Sequence, residues 1–270
     1  MTTLTAHQGA APARHVVRPP IEPIPYSRVI GVELRKMFDT RSGFWLLASI
    51  GIASVLATGA VILFAPESSQ DYESFATAVG FPMAVILPMI AILAVTSEWS
   101  QRSGLTTFTL VPSRGRVIGA KAICAALVGV VSMFVALGVG ALGNVVGTAI
   151  SGAPTTWNIA PLEFAYIVLA NVLGMAIGFM LGVLIRNSAA AIVGYFVYSL
   201  VLPTVFAMLA AFQDWFRDLQ PWVDFNFAQT RLFDSTMTGE YWAQLGVSSL
   251  IWLVLPLTIG LVMLRRSEVK

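Results

Sequence analysis

Residues 164–185 read FAYIVLANVLGMAIGFMLGVLI. No Asp, Glu, Lys, Arg, His or Pro interrupts this stretch. A helix needs roughly 20 apolar residues to cross a bilayer, and in hydrocarbon only helices or closed barrels satisfy their own backbone groups. The apolar residues are continuous rather than alternating, so the stretch predicts a membrane-spanning helix and not a barrel strand. Five further runs have the same character: Phe44–Phe64, Phe75–Thr96, Ala122–Val146, Ala189–Phe212 and Ala243–Leu264. None of the six carries an ionisable Asp, Glu, Lys, Arg or His. The sequence therefore predicts an all-α polytopic membrane protein with six transmembrane helices.

The composition of the whole chain agrees. Of 270 residues, 57% are apolar and 11% charged, and mean hydropathy is +0.79. A soluble domain carries about 25% charged residues, so this chain could not cover a soluble surface with polar groups. The net charge of +2 is too small to suggest nucleic acid as a partner. A single cysteine, Cys124, excludes an internal disulfide framework.

The basic residues predict orientation. Six spans place both termini on one side, and 14 of the 16 Lys and Arg residues fall on that side. Only Arg217 and Arg231 fall opposite. Both termini are expected in the cytoplasm and the protein in the plasma membrane. The first apolar run starts too far in for a cleavable leader. Residues 1–25, rich in Pro, Ala and Thr, are expected to be a disordered cytoplasmic tail. Residues 26–41 form the next unit, 42–266 the six-helix domain, and 267–270 a short cytoplasmic tail.

The unit 26–41 opens with an amphipathic stretch, Tyr26–Asp39. On a helical wheel Tyr26, Val29, Ile30, Leu34, Met37 and Phe38 share one half, opposite Arg28, Arg35, Lys36 and Asp39. This suits a helix lying in the membrane interface. Glu33 falls inside the apolar arc, where a carboxylate wants a partner. The expected partner is a basic residue of the following cytoplasmic loop, such as Arg102, Arg114 or Arg116; bending out to water is the alternative.

That loop, 97–121, reads SEWSQRSGLTTFTLVPSRGRVIGAK. Gly104 is placed to stop the second span, Pro112 to break a short helical piece, and Ser113 to cap the third. Arg114 and Arg116 then sit in a first helical turn, where the helix dipole disfavours cations. Lipid phosphates, a partner's acidic groups or plain membrane anchoring would each account for them. On the far side, 213–242 mixes Trp215, Trp222, Trp242 and four phenylalanines with acids. Short interfacial helices are expected there, as an aromatic belt or a lid.

Within the spans, Gly174, Gly178 and Gly182 repeat every four residues, a spacing that permits close helix approach. Pro82, Pro88, Pro203 and Pro256 each remove a backbone bond. Asn144, Asn171, Tyr195 and Tyr198 are polar groups that would line a pathway or bond between helices. No HExxH and no GxxxxGK[ST] motif is present, so neither zinc proteolysis nor P-loop ATP binding belongs to this chain. The apolar runs lack the buried ionisable groups of a proton-coupled carrier.

Three features resemble the ABC-2 family of ABC exporter permeases. The segment Val32-Glu33-Leu34-Arg35-Lys36 before the first span is similar to that family's elbow helix. Glu98, Arg102, Thr109-Leu110-Val111-Pro112-Ser113-Arg114 and Ala120-Lys121 look like its cytoplasmic coupling region. The long outer insert lies between the fifth and sixth spans, as in that family. The resemblance covers about residues 26–266. It implies a permease subunit that binds no cofactor itself, pairs with a second copy or a paralogue, and couples to a separate cytoplasmic ATPase that binds the ATP. It also implies coupling roles for Glu98, Arg102 and Arg114, which the flanking Pro112, Ser113 and Arg116 would support. Glu33 joins them from the wheel. A membrane anchor without a pathway and a small ion-coupled carrier are the competing expectations.

Overall fold

The computed structural model describes residues 24–100, 114–234 and 236–266. Expectations that fall on the tail before residue 24, on 101–113 and on 267–270 lie outside the described residues. The described residues are helical, without strands, and six of the helices are long and apolar enough to cross a membrane.

Helix α1 (Tyr26–Asp39) precedes the first span, α2 (Arg41–Phe64). Thr40 separates them and caps α2, its Oγ1 accepting from Gly43 N at 3.1 Å. The corner is tight at Gly43, where a Cβ would collide with the Met37 carbonyl. The second, third and fourth spans are α3 (Tyr72–Ser100), α4 (Arg114–Ser151) and α5 (Pro161–Ile185). At 1.5 Å per residue α4 is about 57 Å long, against about 30 Å of hydrocarbon. It therefore reaches well past the apolar run 122–146, and its first two turns include Arg116 and Lys121. The fourth span ends on Arg186, in the left-handed region at φ 56°, and Asn187 caps the helix that follows.

The fifth and sixth spans are each built in three parts. The fifth is α6 (Ser188–Phe196), a π turn over Val197–Val201, and α7 (Leu202–Phe212). The sixth is α10 (Gly239–Ser249), a π turn over Leu250–Val254, and α11 (Leu255–Arg266). Each π turn directly precedes a Leu-Pro pair, Leu202-Pro203 and Leu255-Pro256. A proline inside a regular helix clashes with the carbonyl four residues back and leaves it without a donor. The wider turn relieves this, with Leu202 N donating to Val197 O and Leu255 N to Leu250 O. Between these spans lie α8 (Asp214–Val223) and α9 (Phe225–Thr230).

The second span is the hub, packed against α2, α4 and α5. Phe75, Met83, Leu87, Met133, Leu137 and Met175 are fully or almost fully buried there. Half of the fourth span's apolar window is buried, against 17% for the first and sixth spans and 11% for the fifth. The first, fifth and sixth spans are thus peripheral, and their exposed apolar faces suit lipid or another subunit.

Candidate functional site

Helix α1 lies along the first turns of α4, and side chains from both helices close the contact. Arg116 donates to Ile24 O at 2.9 Å and stands over the Tyr26 ring. A Cβ on Gly119 would meet the Tyr26 hydroxyl. Cys124 Sγ approaches Ile30 O at 3.4 Å. In the centre, Lys121 Nζ donates to Glu33 Oε2 at 2.6 Å, and both side chains are 4% exposed. The same ammonium donates to Ala94 O of the second span at 3.0 Å. Lys36 Nζ holds the other Glu33 oxygen at 2.7 Å. Burial alone would push the Glu33 carboxyl up, but the Lys121 charge and the hydrogen bonds from Lys121 and Lys36 outweigh it and hold it below the ordinary carboxylate value.

Glu33 thus has a partner beyond its own helix, but not one of the arginines expected. The partner is Lys121. Arg116 is committed to the start of α1, Arg102 lies outside the described residues, and nothing is described of the Arg114 side chain. The signal for Lys121 was present in the sequence. Val117, Ile118, Cys124, Ala125 and Val128 form one buried stripe on α4, and Lys121 lies on it. An acid on the apolar arc of one helix and a base on the apolar stripe of another satisfy each other, because neither reaches water.

The other expected coupling residues are less fully placed. Glu98 lies in the last turn of α3, with its side chain outside the description. Pro112 and Ser113 also lie outside it, and α4 begins at Arg114, the next residue. The end of α3 at Ser100 and the start of α4 at Arg114 therefore both lie toward the end of the bundle where Glu33, Ala94 and Lys121 meet. At that end Thr96 Oγ1 and Ser188 Oγ, 2.7 Å apart, also join the second span to the fifth.

The glycine stripe of the fourth span serves packing within this chain. A Cβ on Gly178 would stand 2.6 Å from Pro88 O and 2.8 Å from Pro88 Cα. One on Gly182 would stand 3.2 Å from Val95 Cβ. Gly174 instead faces Gln229 of α9, whose Nε2 donates to Ala170 O at 2.7 Å. Two glycines thus admit the second span and the third admits the insert.

The polar groups inside the spans differ in use: Tyr195 bonds between spans, Asn171 within its own helix and Asn144 to the connection after its helix. Pro88 cannot donate to Ala84 O, and Tyr195 Oη donates there instead at 2.7 Å. Asn226 Nδ2 donates to Tyr198 O, beside the π turn that Pro203 requires, at 3.3 Å. Asn171 Nδ2 bonds back to Ile167 O, and Asn144 Nδ2 donates to Thr156 O. The Tyr198 hydroxyl and Asn144 Oδ1 are buried without a hydrogen-bond partner among the described residues. Sequence reasoning missed Gln229 and Asn226, since only the fold shows which carbonyls the prolines and glycines leave open.

Six long apolar helices define a multi-pass integral membrane protein. The family model described as ABC-2 family transporter protein matches residues 34–269, and the chain belongs to that family. Membership makes it a membrane permease component of an ABC transporter, whose kind works with an ABC ATPase partner. No curated protein matches the sequence.

Proposed function

We propose that this chain is the transmembrane subunit of an ATP-driven exporter in the plasma membrane, with both termini cytoplasmic. It forms the substrate pathway as a dimer, with a second copy or a paralogue. A separate cytoplasmic ATPase binds and hydrolyses the ATP, and the permease itself does no covalent chemistry. The observation that carries this reading is the convergence of α1 and both ends of segment 101–113 at one end of the bundle. The ATPase would press on that segment, with Glu98, Arg102 and Arg114 as its contacts. Pro112 and Ser113 would set the start of α4, and Arg116 would fix α1 beside it. The exposed faces of the peripheral spans supply surface for a second subunit.

One observation favours a second reading, a membrane anchor without a pathway. Tyr195 and Asn171 satisfy backbone carbonyls and leave little polar surface to line a route. Purification from native membranes in mild detergent separates the two. A stoichiometric P-loop ATPase, lost when Glu98 and Arg114 are reversed in charge, supports the exporter. An intact complex-preserving preparation without any ATPase supports the anchor.

A further inference from the structure

We propose that Lys121 is a positioning residue: it locks α1, the end of the second span and the start of the third into one body, so that these three helix ends move together. This rests on the exporter reading for its meaning, but the lock itself stands on geometry. One buried ammonium reaches a carboxylate on α1 and a carbonyl on α3, from a position on α4. Ala94 and Lys121 are 27 residues apart and lie on either side of segment 101–113.

The pairing is directional as well as strong. Glu33 holds Lys121 with one oxygen and Lys36 with the other, so both lone-pair faces of the carboxylate are engaged. Breaking a buried ion pair leaves an uncompensated charge away from water, which is costly. A load on this end of the bundle cannot spread α3 from α4, or slide α1 along α4, without breaking a bond made by the Lys121 ammonium in a dry site. The path of least resistance is a joint movement of the three helix ends.

The test uses hydrogen–deuterium exchange of the full-length permease in lipid nanodiscs, then ATP hydrolysis by the complex with its ATPase. Lys121→Met and Glu33→Gln should each raise amide exchange in residues 26–39, 94–100 and 114–121 by at least about tenfold, with residues 164–185 unchanged. Lys121→Arg should stay within about threefold of the parent. The swapped pair, Glu33→Lys with Lys121→Glu, should recover most of the protection. In the complex, Lys121→Met should lower kcat for ATP with ATPase stoichiometry and KM for ATP unchanged. Unchanged exchange in Lys121→Met would overturn the lock, as would a swapped pair no better protected or folded than the single variants. A normal kcat despite lost protection would overturn the positioning role. If no ATPase accompanies the parent protein, the exporter reading fails while the exchange pattern still decides the lock.

Discussion

Gly178→Ala puts the helix packing to a quantitative test. The new Cβ would stand 2.6 Å from Pro88 O, 2.8 Å from its Cα and 2.9 Å from its Cβ. Carbon pairs rest at about 3.5–4.0 Å, so the carbon contacts are short by roughly 0.7 Å. The colliding atoms are backbone and ring, with no rotamer to yield, so the second and fourth spans must part along their shared face. Overpacking of this kind costs about 1–3 kcal/mol. For a chain of this size, each kcal/mol lowers the thermal midpoint by about 2–4 °C, which gives a drop of roughly 2–12 °C. Gly182→Ala, with its nearest neighbour at 3.2 Å, should fall by less. Gly174→Ala meets only Gln229 Nε2 at 3.5 Å, an ordinary contact, and should stay within about 0.5 kcal/mol of the parent. Melting of the purified protein, followed by size exclusion with tryptophan fluorescence, reads all three. Equal losses at Gly174 and Gly178, or none at Gly178, would refute the argument that the stripe exists to admit the second span.

Three other outcomes follow from single contacts. Tyr195→Phe should cost about 1–3 kcal/mol by orphaning Ala84 O, and much less in a Pro88→Ala background, where residue 88 regains the N–H that serves that carbonyl; additive losses in the double variant would contradict it. The Glu33 carboxyl is held below its ordinary value of 4.5, so its stabilisation is full above that value and is lost as pH falls through the lowered folded value. Thermal midpoints measured down an acid series should therefore converge for the parent and Glu33→Gln, and a gap that persists in acid would be the wrong result. Asn226→Ala should speed amide exchange around the π turn Val197–Val201 without altering the second span, because it removes the side-chain donor to Tyr198 O.

The spans were legible because lipid imposes a single requirement, a continuous apolar run long enough to cross. The amphipathic stretch Tyr26–Asp39 was equally plain, with Glu33 out of place on its wheel. What the wheel could not give was the partner, since 88 residues separate Glu33 from Lys121. The helix start after Ser113 was legible too, but Lys121 counted only as one more basic residue of the loop until α4 was seen to carry it onto a buried stripe against α1. The glycine spacing announced close approach, but not that Pro88 and Gln229 were what approached. The prolines of the fifth and sixth spans announced kinks. The π turns that accommodate them depend on backbone register, which no hydropathy pattern encodes.

Those two π turns bear on how relatives of this chain should be aligned. A π turn is a regular helix with one residue inserted, and one residue rotates everything beyond it by about 100°. The two halves of the fifth span therefore do not share one lipid-facing stripe, and neither do the two halves of the sixth. A wheel drawn through a whole span misplaces the residues beyond the turn by about 100°. In relatives that lack the proline at position 203 or 256, the inserted residue has no ring to accommodate. A one-residue gap is expected there, in the middle of a membrane helix.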